Sequence, residues 1–109
     1  MDEIGELELQ VRDFVRNPSS LGYNAMSSRR FGSAKFIAYP QDHEPRHVHG
    51  FTGEIEVVVD LQDDGTVRLA DRADAIRPSH AKRSDVRKVL NVAARHFAEL
   101  VELWEKMHA

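Results

Sequence analysis

Apolar residues recur with two different periods along this chain, and the change of period marks out its elements. Lys35 to Tyr39 is a short apolar run closed by Pro40, and His47 to Phe51 is a second strand-like stretch. Glu54-Ile55-Glu56-Val57-Val58-Val59-Asp60-Leu61 alternates into a β-branched run, the pattern of a strand packed on at least one face. Asp63-Asp64-Gly65 predicts a hairpin turn, with the glycine supplying positive φ, and Thr66 to Ala70 returns as the partner strand. The spacing then lengthens. Val86, Val89, Leu90, Ala93, Phe97, Leu100, Val101 and Trp104 fall three and four residues apart, the stripe of an amphipathic helix. Ser79 or Ser84 could cap its start, and it should run nearly to the chain end. Such a stripe needs a surface to bury it, and the sheet is the large one available. The expected fold is α+β, an antiparallel sheet of three to four strands packed against one long C-terminal helix.

The first thirty residues follow neither pattern well. Ile4, Leu7, Val11, Phe14 and Val15 fit a helical stripe, while Leu7, Leu9 and Val11 alternate as a strand would; a short helix is expected. Asn17-Pro18-Ser19-Ser20 ends it, and Leu21 to Arg30 reads as a linker or arm. The division is therefore an N-terminal helix or arm over residues 1–30 and a single α+β domain over 31–109.

At 109 residues with 41% hydrophobic side chains, the chain can bury one core and no more. It has no cysteine, which excludes disulfides and thiolate metal sites. The acidic start lacks the apolar core of a signal peptide, and no stretch reaches bilayer length. The expectation is a cytoplasmic protein without a membrane partner, and nothing in the sequence argues against a homodimer. The net charge of −3 speaks against a general nucleic-acid coat, but the charge is uneven. From Arg68 to Arg95 the cations Arg68, Arg72, Arg77, Lys82, Arg83, Arg87, Lys88 and Arg95 outnumber Asp71, Asp74 and Asp85. That stretch either meets an anionic partner or is a solvated face paired with acids of the fold.

Chemistry concentrates in Asp42-His43-Glu44-Pro45-Arg46-His47-Val48-His49-Gly50, which holds three of the six histidines. An extended backbone puts His47 and His49 on one face and Arg46 on the other. Two imidazoles can share general acid and base roles, with a nearby cation stabilising developing phosphate charge. His43, His47 and His49 could instead give three nitrogens to a zinc ion, with Asp42, Glu54 or His80 as a further ligand. The structural alternative has one ring capping the loop through Asp42 or a backbone carbonyl. Lys82, Arg83, Arg87 and Lys88 crowd the start of the predicted helix, where the macrodipole already favours an anion, so a bound phosphate would suit them. A helix that starts at Ser79 would place them beyond its first turn. His96, at the edge of the apolar stripe, and Trp104, at its centre, are expected to serve the core.

From Phe31 to Trp104 the chain resembles a family of small bacterial proteins known as domain of unknown function 4160. The likeness rests on Ala34-Lys35-Phe36-Ile37-Ala38-Tyr39, on Asp42-His43-Glu44-Pro45-Arg46-His47-Val48-His49, on the Glu54 to Asp60 strand and on Glu99, Leu100 and Trp104 in the final helix. The family's loop usually reads Asp-His-x-Pro-Pro-His-Phe-His; Arg46 here replaces the second proline and Val48 the aromatic. Members of the family look like companions of small antitoxin-like proteins, so the resemblance implies a toxin–antitoxin type of module with a protein partner.

The functional expectation is a toxin-like protein acting on RNA or another phosphate ester. His47 and His49 form its acid–base pair, His43 assists, and Arg46, Lys82, Arg83 and Arg87 bind substrate. The alternatives are a non-catalytic interaction module, or a metal-binding protein whose ligands are His43, His47 and His49.

Overall fold

A computed structural model describes residues 26–108 of the chain. Six strands form one sheet: β1 (Ser27–Phe31), β2 (Ala34–Ala38), β3 (His47–Thr52), β4 (Ile55–Leu61), β5 (Val67–Leu69) and β6 (Ile76–Arg77). They are followed by helices α1 (Arg83–Arg95) and α2 (Phe97–His108). Strands β1 to β5 lie in chain order and every pairing is antiparallel. The short β6 shares the outer edge of β4 with β5: β5 takes Val59 to Leu61, and β6 takes Glu56 and Val57. Gly65 closes the β4–β5 turn with φ 88°, as its sequence predicts, and Gly32 and Gly53 do the same for the two preceding hairpins.

The period of two decides what each face of the sheet carries. Phe36 and Ala38, Val48, and Val57, Val59 and Leu61 turn to one side and are buried against Val86, Val89, Ala93, Leu100 and Leu103 of the helices. Helix α1 lies across β3, β4 and β5, and α2 across β1 to β4. Alternate residues turn to the other side, where Ile37, His49 and Val58 stand in one cross-strand row. Here His47, His49 and Asp60 are buried polar side chains.

The α+β class holds, with two corrections. Among the described residues the sheet has six strands rather than three or four. Ser27-Ser28-Arg29-Arg30-Phe31, expected in part as linker, pairs residue for residue with β2. As the end strand of the sheet among the described residues it is exposed along its middle, so it needs no apolar alternation to betray it. The other added strand, β6, is only two residues long. The expected helix is also two helices. Its start is Arg83, with Lys82 at the N-cap position and no side-chain cap, so neither Ser79 nor Ser84 serves as N-cap. It breaks at His96, whose backbone leaves the helical region (φ −118°, ψ 32°). The His96 ring stacks on Phe31, with centroids 3.8 Å apart. That contact ties the break to β1 and lets α2 cross the part of the sheet that α1 does not reach. The predicted helix within residues 1–16 lies outside the described residues, and among these no helix is long and apolar enough to cross a membrane.

Candidate functional site

The loop between β2 and β3 folds back on itself at Asp42. The Asp42 N–H donates to the Tyr39 carbonyl (3.2 Å), and the Tyr39 N–H donates to Asp42 Oδ2 (3.3 Å). This reciprocal turn draws the Asp42 carboxylate inward, under the two histidines at the start of β3. Oδ2 lies 3.2 Å from His49 Nε2 and 3.4 Å from His47 Nε2. One ligand atom from each of Asp42, His47 and His49 falls within 4.8 Å of the others.

The far sides of both rings are fixed. His47 Nδ1 lies 2.9 Å from the Pro45 carbonyl oxygen, and His49 Nδ1 lies 2.9 Å from Glu56 Oε2. A carbonyl and an ionised carboxylate only accept, so each Nδ1 carries a hydrogen and donates it. In the neutral rings both Nε2 atoms are then lone pairs, and they face a third acceptor, the Asp42 oxygen. Three acceptors therefore converge with no donor among them. A proton on His49 Nε2 would satisfy the 3.2 Å contact to Asp42. His47 Nε2 would still be left over: it is buried without a hydrogen-bond partner, because its 3.4 Å approach to Asp42 is close but misaligned.

Aromatic rings enclose the cluster. Tyr39 meets His49 edge-on with centroids 5.0 Å apart, and Trp104 lies tilted 5.4 Å from His47. Burial pushes the Tyr39 phenol above its ordinary value, and the charges of Glu56 and Asp42 push it the same way. His108, stacked on Trp104 with centroids 3.6 Å apart, reaches the Asp42 carbonyl at 2.9 Å through Nε2. The end of α2 thus holds the loop that carries Asp42. Beside His47 opens a groove of about 610 Å³ whose walls include Asp42, His43, Asp60, Arg68 and Arg72. Arg68 is largely exposed and its Nε lies 3.8 Å from Asp60; Arg72 is hydrogen-bonded to Asp74.

The residues singled out in the sequence are only partly brought together. His47 and His49 share a face, as their spacing predicts, and both also approach the Asp42 carboxylate. His43 is exposed on the groove wall and stands outside the three-atom cluster, because the turn that pulls Asp42 in points the next side chain out. Arg46 turns to the opposite face, where Nε donates to the Leu61 carbonyl (3.0 Å) and Nη2 to that of Gln62 (3.1 Å). Its guanidinium also lies 5.6 Å from the centre of the Phe97 ring. It clasps β3 to β4 rather than facing the histidines. Lys82, Arg83 and Arg87 belong to the start of α1, which packs on the helix-bearing side of the sheet, away from the histidine side. Glu54 and His80 are exposed.

Sequence reasoning missed Glu56, Trp104 and His108 as neighbours of the site. Glu56 carried a signal, since it alternates with Val58 and Asp60 on the strand after the histidines. The hairpin register that sets it diagonal to His49 was not readable.

The fold and the cluster define a small α+β protein with a buried centre of two histidines and one carboxylate. The chain belongs to the family described as Domain of unknown function (DUF4160), whose sequence model matches residues 34–105. No curated protein and no solved structure matches it.

Proposed function

We propose that the protein is a small hydrolase of phosphate esters, with RNA as the polymer class, and that Asp42, His47 and His49 form its reactive centre. The convergence of three lone pairs beside an open groove carries this reading. A water molecule at that point can be turned into a nucleophile: its oxygen adds to phosphorus, the ester P–O bond breaks, and the leaving alcohol takes up a proton. The proton removed from water goes to a lone pair of the cluster and is passed on to the leaving alcohol. Arg68 and Arg72, across the groove, supply positive charge for the phosphoryl oxygens. His43, exposed on the groove wall, is placed to assist there rather than at the centre. In a toxin–antitoxin type of module this activity would belong to the toxin-like member.

The test is hydrolysis of an activated phosphodiester and of a labelled single-stranded RNA by the full chain. A His47→Ala/His49→Ala variant with an intact fold should lose at least about a hundredfold in rate. Equal rates for parent and variant would remove the reading. A second reading, a non-catalytic module for an antitoxin-like partner, is favoured by one observation: among the described residues β1 ends the sheet with Ser28, Arg29 and Arg30 exposed, a strand edge that a partner could extend.

A further inference from the structure

We infer that Asp42, His47 and His49 are the ligands of a divalent first-row transition metal of the zinc type, bound through Asp42 Oδ2 and the two Nε2 atoms. The inference deepens the reactive centre proposed above but does not depend on the substrate assigned there. Its ground is the balance of donors and acceptors. Both Nδ1 hydrogens are committed outward, so three acceptors face one another. One proton can join only two of these atoms, and it leaves His47 Nε2, on a ring only 6% exposed, with no partner. A cation at the centre satisfies all three at once. Burying an unpartnered nitrogen is costly, and natural folds keep one where something else binds it.

The geometry fits the same conclusion. Bonds of about 2.0–2.1 Å to a tetrahedral zinc ion set neighbouring ligand atoms about 3.3–3.4 Å apart. The two contacts of Asp42 Oδ2 with the imidazole nitrogens measure 3.2 and 3.4 Å. All three residues bring a ligand atom within 4.8 Å of the other two. The outward hydrogen bonds are those that metal-bound histidines make: a backbone carbonyl behind one ring and a carboxylate behind the other. Imidazole with a carboxylate favours zinc or another transition ion over magnesium or calcium, which take oxygen ligands. Three protein ligands leave coordination positions open, and the groove that Asp42 and His47 help to wall lies beside them.

The experiment is titration of the chelator-stripped full chain with zinc(II), and separately with magnesium(II), read by calorimetry and by metal content after gel filtration. We expect one equivalent of zinc per chain and no retained magnesium. Asp42→Asn, on the loop, should weaken zinc binding at least about a hundredfold, and so should His47→Gln and His49→Gln. His43→Ala and His80→Ala should leave it unchanged. Thermal unfolding of each metal-free variant verifies its fold. Should the buried histidine variants fail to fold, cobalt(II) bound to the unaltered chain reports the site through its ligand-field spectrum, and the Asp42→Asn comparison stands on its own. The inference is overturned if the folded parent retains no zinc, or if binding survives Asp42→Asn, or if it is lost with His43→Ala. Stoichiometric zinc without phosphodiester hydrolysis would support the metal centre and remove the hydrolase reading. Phosphodiester hydrolysis by a folded parent that retains no zinc would support the hydrolase reading and overturn the metal centre.

Discussion

The acceptor convergence at Asp42 depends on groups that stand behind the imidazole rings. Glu56 is the clearest of these. Its carboxylate takes the His49 Nδ1 hydrogen and lies 3.9 Å from the Arg77 Nε, so it sets both the tautomer and the angle of the ring. Glu56→Gln keeps the shape and an acceptor oxygen but removes the charge behind the imidazole. We expect zinc affinity to fall about 10- to 100-fold in a competition titration, with the metal-free fold intact. Arg72, on the wall of the groove, is paired with Asp74. The hydrogen bonds from Arg72 hold the Asp74 carboxyl at about 2, with the Arg72 and Arg77 charges adding to the effect. A carboxyl lowered on folding stabilises the protein above its ordinary value, and that contribution fades as pH falls toward about 2. In Arg72→Ala the Asp74 side-chain carbon should titrate at higher pH in an NMR series. An unmoved titration would show that the pair is not formed in solution. At this scale the sequence was informative where chemistry is local: the histidine pair on one face was legible from a spacing of two. The inward turn of Asp42 over His43 was not, because two hydrogen bonds to Tyr39 decide it.

Among the elements, the hairpin of β3 and β4 is the one that everything else packs around. Val48 and the alternate residues Val57, Val59 and Leu61 made its buried side readable from period alone. The helix break at His96 was not readable, since no glycine or proline marks it and the apolar spacing continues across it. What bends the chain there is a tertiary contact, the Phe31 ring against His96. Gly50 shows the same limit from the other direction. On the helix side of β3, a Cβ at this position would lie 2.6 Å from Val89 Cγ1 and 2.8 Å from Phe36 Cε1. The absence of a side chain lets α1 settle directly onto the strand. Gly50→Ala should therefore cost about 1–3 kcal/mol in urea unfolding, because both neighbours are buried and have little room to move. A loss within a few tenths of a kcal/mol would mean that α1 sits farther from the sheet than described.

For the molecule as a whole, the sheet acts as a partition. One side carries the helices and most of the core; the other carries the Asp42 cluster and its groove. The cations of Arg68 to Arg95, a single basic block in sequence, are divided by this partition. Arg68, Arg72 and Arg77 approach Asp60, Asp74 and Glu56, as a solvated, acid-paired surface would. Lys82, Arg83, Arg87, Lys88 and Arg95 lie along α1 and make no ion pair among the described residues. The crossing point of the two sides is Trp104, the only tryptophan of the chain and 5.4 Å from the His47 ring. Its emission should fall as cobalt(II) is added and level off at one equivalent. In Asp42→Asn the same addition should leave it nearly unchanged. Quenching that rises without limit in both proteins would place the ion elsewhere.

The proposed ligands and their supporting groups also share a property of the chain rather than of space: Asp42, Pro45, His47, His49 and Glu56 all belong to one continuous loop–strand–turn–strand stretch. Closing so short a loop takes little chain entropy, and contacts this local form early. A metal ion that recognises them can therefore be captured while the rest of the polypeptide is still disordered, for instance during synthesis, before the helices exist to pack. It would also bind the denatured chain to some extent, and binding to both states dilutes the stabilisation that a ligand gives. The melting temperature of such a protein would rise less with added metal than its affinity alone implies, and refolding from denaturant would be the step that metal accelerates.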